Sequence, residues 1–287
     1  MVKEHLLAGH GYSRSMETQL VDEMKTLVLA GHETSAAMLT FATFELSRDP
    51  TLRAKVKAEA DRHLPPIGKE PTREQVDKMD LTHAVLKETL RKWSVVPVIT
   101  RRVAEDDTVA GFTIPKNTVI NISLKVSTSP RGVRHILLAH SYMSHVQSLP
   151  YPEPKPNLSL SLTSRTLSLP HTRTRTVRFQ GVHHGYWKDP TRFDPGRFLP
   201  NGEYEQFPEK QRPFMFIPFS AGPRNCLGQY LSLLEARIVL ARLVQRWELQ
   251  TDEVEVPQST FVIPVASRNG VHMRVGVVGG DVRGVKR

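Results

Sequence analysis

The stretch Phe219-Ser220-Ala221-Gly222-Pro223-Arg224-Asn225-Cys226-Leu227-Gly228 decides how this 287-residue chain reads. It holds the chain's single cysteine, so an internal disulfide is excluded and any metal or redox role for a thiol falls on Cys226. Apolar residues follow at Leu227, Leu231, Leu234, Ile238 and Ala241, the spacing of one face of a long helix. The cysteine therefore stands just before a helix start, where free N–H groups and the positive dipole end favour a thiolate. Gly222 lets backbone approach a flat ligand closely, and Arg224 adds a cation two residues before the sulfur. Taken by itself, a lone cysteine is more often a small buried hydrophobe than a ligand.

Three further segments set reactive or charged groups beside one another. Ala30-Gly31-His32-Glu33-Thr34-Ser35 lies in a helix expected over Glu17 to Ser47 and places a carboxylate next to a hydroxyl. Gly31 weakens that helix where a groove could open. The plain alternative is a threonine bonded back to the preceding turn and a glutamate in solvent. In Lys87-Glu88-Thr89-Leu90-Arg91, the i,i+3 spacing puts Glu88 and Arg91 on one helical face, where an exposed ion pair would contribute only a few tenths of a kcal/mol. Phe193-Asp194-Pro195-Gly196-Arg197-Phe198 supplies another arginine downstream.

Together these segments resemble the cytochrome P450 family. Phe219, Gly222, Arg224, Cys226 and Gly228 match its haem-binding signature Phe-x-x-Gly-x-Arg-x-Cys-x-Gly, and the other three follow the family's order. The resemblance implies that Cys226 is the axial thiolate of haem (iron protoporphyrin IX), the ligation that favours O–O cleavage. It implies that Glu33 and Thr34 deliver protons as O2 is reduced. Arg224 and Arg101, the latter in Val98-Ile99-Thr100-Arg101, stand where haem-propionate partners are expected, with Phe219, Gly222 and Gly228 shaping the cofactor loop. Glu88, Arg91 and Arg197 become a buried structural triad, in which bidentate guanidinium geometry explains why lysine would not serve. The implied function is a haem-thiolate monooxygenase that inserts one O2 atom into a small, apolar organic substrate. Its electrons would come from NAD(P)H through a partner reductase.

The remaining pattern is mainly α with a minor β-sheet. Asp49-Pro50 predicts a cap and first residue for a helix to about Leu64, Thr72 with Gln75 a capping box, and Thr82 the cap of a helix ending near Trp93. From Val98 to Ser123, β-branched residues alternate with the Gly111-Phe112 and Pro115-Lys116-Asn117 turn signals, which predicts a small strand meander. Trp187 to Gly222 reads as proline-rich loop. Val254, Val256, Phe261, Val262, Val271 and Val275 predict short strands in the tail.

Residues 126–180 interrupt this pattern. The tract carries Arg131, Arg134, Lys155, Arg165, Arg173, Arg175 and Arg178 against Glu153 alone, so it supplies six of the ten net positive charges. The runs Leu158 to Leu162 and Thr172 to Thr176 are near-repetitive, and the tract reads as a disordered low-complexity insertion. Val126-Ser127 and Phe179-Gln180 are compatible with splice-site codons, so a retained intron is one expectation, decided by the transcript's sequence. Its removal would join Lys125 to Gly181. The expected organisation is one domain formed by residues 1–125 and 181–287, interrupted by 126–180. It corresponds to the C-terminal part of such an enzyme, an incomplete cytochrome P450-like fold.

No stretch approaches the ~18 consecutive apolar residues of a membrane span, and Met1 to Gly11 lacks the order of a secretory signal, so no anchor or leader is expected in the chain as given. Two other readings stand beside the monooxygenase: a catalytically inert haem-binding fragment, and a basic nucleic-acid binder built on 126–180. Without aromatic interleaving in that tract, no specific nucleic acid is expected. His183 and His184 are adjacent and point apart on a strand, so they are not read as metal ligands. Substrate, redox partner and organelle are not legible.

Overall fold

The computed structural model describes residues 14–109, 112–124, 175–178, 187–210, 212–254 and 270–278. Helix α1 (Arg14–Arg48) runs slightly beyond both ends of the expected span. Asp49 caps α2 (Pro50–His63), its carboxylate accepting the Leu52 N–H at 2.9 Å, while Pro50 fills a first-turn position that needs no donor. Thr72 and Gln75 exchange hydrogen bonds in both directions at the start of α3 (Arg73–Asp77), the predicted capping box.

Helix α4 (Asp80–Trp93) departs from expectation. Its N-cap is Met79, which offers no side-chain bond, and Thr82 lies inside the helix. The cap comes from α2 instead. The Glu59 carboxylate accepts the Leu81 N–H at 2.7 Å, the Thr82 N–H at 2.8 Å and the Thr82 hydroxyl at 2.6 Å. An anion at the positive end of the helix thus satisfies two amides that have no intrahelical partner.

Strand β1 (Val98–Arg102) pairs antiparallel with β4 (Val119–Ser123), placing Arg101 opposite Ile120, and β2 (Asp107–Val109) pairs with β3 (Phe112–Ile114). Strand β5 (Arg175–Arg178) joins β4 in parallel. This corrects part of the insertion reading, because the end of the tract forms a strand; its side chains and the rest of 126–180 lie outside the described residues. Two 3-10 turns (Pro195–Phe198 and Glu203–Gln206) and a short helix α5 (Arg212–Met215) organise the proline-rich segment. Helix α6 (Gln229–Arg246) follows the cysteine, and β6 (Trp247–Gln250) pairs antiparallel with β7 (Arg274–Val277). Of the expected tail strand residues, Val275 lies in β7, Val254 and Val271 lie outside any strand, and Val256, Phe261 and Val262 lie outside the described residues.

The core gathers where the second half of α1 meets α4 and α6. Phe41, Phe44, Leu86, Leu90, Ala236 and Leu240 are buried together there. Trp93 stacks on Phe41 at 4.5 Å, meets Phe44 edge-on at 5.8 Å, and donates its indole N–H to Glu45 at 2.9 Å. Each fully buried side chain of this size contributes roughly 1.5–3 kcal/mol. Helix α6 buries Leu233, Ala236, Arg237, Leu240, Ala241 and Val244, whereas Leu227 and Leu231 are 88% and 68% exposed. The expected face holds only in its later turns, where Ala241 is buried and Leu234 and Ile238 pack against a second cluster with Ala60 and Met79; α6 carries apolar residues on more than one side, and periodicity alone does not choose among them. The architecture is mainly helical with small sheets. No described helix is long and apolar enough to cross a membrane.

Candidate functional site

The cysteine loop is held by its own backbone. Cys226 N–H donates to the Phe219 carbonyl at 2.9 Å, Asn225 N–H to Gly222 at 3.1 Å, and Ser220 N–H to Ile217 at 3.0 Å. Ser220 (φ 66°) and Gly222 (φ 79°) are both left-handed, and a Cβ at Gly222 would meet nothing within 4 Å. Backbone angle, not contact, is what makes glycine suit that position. Gly228 caps α6, two residues beyond the sulfur. The Cys226 side chain is exposed, as is Arg224, while Phe219 is half-buried against the main core.

Arg101 reaches this loop from β1. Its Nη2 donates to Ser220 Oγ at 2.8 Å and its Nη1 to the Thr100 carbonyl at 2.9 Å. The loop therefore presents one sulfur with a guanidinium in its own backbone run and another docked on its edge. Soft sulfur suits iron, and guanidinium forks suit carboxylates, so these residues fit an iron porphyrin held by its metal and its propionates. Among the described residues, no three His, Cys, Asp or Glu side chains gather as an alternative metal site. His183 and His184 lie outside the described residues.

Helix α1 faces the loop across an open groove of about 850 Å³, lined by Asp22, Thr26 and Leu27 on the helix and by Leu227 beside the cysteine. Thr34 lies two turns further along the stripe of Leu27 and is half-buried, its hydroxyl donating to the Ala30 carbonyl at 2.6 Å. Glu33 is exposed and lines a different groove, with Met24, Val28 and His32. The structure thus has Cys226 and Arg224 on one loop, with Arg101 docked on that loop from β1, and does not gather Glu33 with them.

Behind the loop, the Glu88 and Arg91 pair is buried. Arg91 forks onto the carboxylate at 2.7 and 2.8 Å, and the Asp194 amide donates to it at 2.8 Å. Arg197 Nε approaches Glu88 at 3.4 Å, an ion contact that falls short of a hydrogen bond. Burial pushes the Glu88 carboxyl above its usual range, against the pull of Arg91, the Asp194 amide and Arg197. Arg91 also donates to the Pro190 carbonyl at 2.8 Å and lies over the Trp187 ring, while Arg197 bonds the Asp189 carbonyl at 2.8 Å and the Glu203 carboxylate. One carboxylate and two guanidinia so tie α4 to the loop at residues 187–203. A Cβ at Gly202 would come within 2.4 Å of the Gly196 carbonyl, so only glycine permits this close return of the chain.

Ser220 and Glu203 were not among the residues that sequence reasoning singled out. Ser220 stood inside the quoted motif at one of its variable positions. Nothing local marked Glu203, which works through a fold in the chain.

Comparison with known proteins follows the same lines. The cytochrome P450 family model matches residues 5–128 and 171–268. Probable cytochrome P450 4s3 of Drosophila melanogaster is 28% identical over 266 residues, covering 92% of this chain and 40% of that protein. Mitochondrial sterol 26-hydroxylase of Mus musculus is 29% identical over 246 residues, 85% of this chain and 36% of its own length. Cytochrome P450 4V2 of Rattus norvegicus is 25% identical over 233 residues, with 81% and 33% covered. The chain spans between 33% and 40% of the length of these three relatives.

Proposed function

The chain belongs to the cytochrome P450 family, and on that premise we propose that it carries the haem-ligating half of a haem-thiolate monooxygenase acting on an apolar organic substrate. The observation that carries this reading is the cysteine loop, where an exposed Cys226 lies on the same loop as Ser220, the residue on which the Arg101 side chain docks from β1. Bound haem would supply O2 activation, using electrons that a reductase draws from NAD(P)H. Cys226 would ligate the iron, and Arg224 and Arg101 would hold the propionates. Gly222 and Gly228 keep the loop low enough for a flat ring, and Phe219 anchors it to the core. Glu33 and Thr34 are the proton-handling pair. The Thr34 hydroxyl proton is engaged with Ala30 and must leave that bond to be donated elsewhere. Glu88, Arg91 and Arg197 fix the segment behind the loop. The name of the mouse relative, a hydroxylase, supports oxygen insertion as the reaction. The gap between residues 128 and 171 in the family match supports reading much of 126–180 as an insertion.

A second reading, a fragment that holds haem weakly and does no chemistry, is favoured by the exposure of the sulfur and of Leu227 beside it. The carbon monoxide difference spectrum of the reduced, hemin-loaded chain tests both. A thiolate-type Soret band that disappears in Cys226→Ser is the expected result. Haem uptake with the same spectrum in both proteins would remove Cys226 from the iron.

A further inference from the structure

We infer that Ser220 is a positioning residue whose hydroxyl holds the Arg101 guanidinium at the edge of the cysteine loop, so that its unused N–H groups meet an anionic group of the bound ligand. This rests on the haem-thiolate reading above. A guanidinium has five N–H donors in one plane. Arg101 spends one on the Thr100 carbonyl and one on Ser220, through its two terminal nitrogens. Two anchors fix the plane of the fork and leave three donors for a carboxylate. The partners are 119 positions apart in the chain, so this bond also ties β1 to the loop.

The backbone gives the independent argument. Ser220 sits at φ 66°, a left-handed conformation that is strained for a residue with a Cβ and costs glycine nothing comparable. Serine therefore stands where glycine would be cheaper, and what it adds over glycine is the hydroxyl that Arg101 uses. The adjoining Phe219 carbonyl accepts the Cys226 amide, so the turn that carries this hydroxyl also closes the loop around the sulfur.

Substitution separates the hydroxyl from the turn. Ser220→Gly eases the backbone and deletes the hydroxyl with its methylene, while Arg101→Ala deletes the group it positions. Each should speed haem loss from the hemin-loaded chain about tenfold, the scale of one charge-assisted hydrogen bond, as timed by transfer to an excess of apomyoglobin. The double variant should lose haem no faster than the worse single, because serine acts through arginine. Ser220→Asn tolerates the left-handed angle and returns an acceptor oxygen, so it should recover part of the loss. Parent-like haem loss in Ser220→Gly, or a multiplied loss of about a hundredfold in the double variant, overturns the inference. Cys226→Ser keeps the two claims apart. If it retains the thiolate-type band, or if the parent chain takes up no haem, the haem-thiolate reading falls and takes this role with it. If it abolishes the band while the two losses multiply, the role of Ser220 alone falls.

Discussion

His83 shows how a single side chain of α4 records its surroundings. Its ring is half-buried and its Nε2 has no hydrogen-bond partner. Burial, helped by the charges of Lys87 and Arg237 and opposed by Asp77, lowers its pKa to about 4 from 6.5. The folded protein therefore keeps this ring neutral at a pH where the unfolded chain already protonates it. Stability contributed by the neutral ring is complete above pH 6.5 and is lost as the pH falls towards 4. The slope is at most ~1.4 kcal/mol per pH unit, and smaller in practice because part of the ring keeps contact with water. His83→Leu removes both the titration and the orphaned nitrogen. Urea unfolding at pH 7 and pH 5 should show wild type losing stability on acidification and the variant losing less. Equal losses in the two proteins would place the acid sensitivity elsewhere.

At the scale of elements, α4 is set by its neighbours at both ends. Glu59 of α2 caps its start, and the buried Glu88 pair fastens its last turns to the loop beyond Trp187. Glu59→Ala leaves two amides and the Thr82 hydroxyl without this acceptor. Denaturant unfolding should show a loss of about 1–3 kcal/mol, with Glu59→Gln intermediate because one acceptor oxygen survives. A loss within ~0.5 kcal/mol, the size of an ordinary surface change, would mean that water replaces the carboxylate without penalty. This contact also marks a boundary of what sequence reveals. The caps of α2 and α3 were legible because Asp49, Thr72 and Gln75 act within three residues of their partners. The cap of α4 was not, because the accepting carboxylate lies 22 and 23 residues away on another helix. The same divide runs through the candidate site. Cys226, Gly222 and Arg224 share one short motif and can be read in order, whereas the bond from Arg101 to Ser220 exists only once β1 has been laid beside the loop.

Across the whole molecule, burial changes along α1. From Ser35 onward the helix turns Ala37, Met38, Phe41 and Phe44 into the core. Before it, Met24, Leu27, Val28 and Leu29 are each at least 60% exposed. Leu227, Tyr230 and Leu231 at the start of α6 are exposed as well, and Leu227 faces α1 across the groove. Apolar periodicity predicted the helix correctly but could not say which of its turns would be covered, since spacing carries the direction of a face and not its neighbours. Contiguous exposed apolar surface drives association. Met24→Glu with Val28→Lys places a favourable i,i+4 pair on this stretch and replaces a β-branched residue by a better helix former. Static light scattering should show less self-association in the double variant. Its thermal midpoint should stay within a few degrees of the parent, because exposed positions tolerate charge. A fall of about 5 °C or more, on the order of 2 kcal/mol for a chain of this size, would mean that these turns of α1 are covered in the native state.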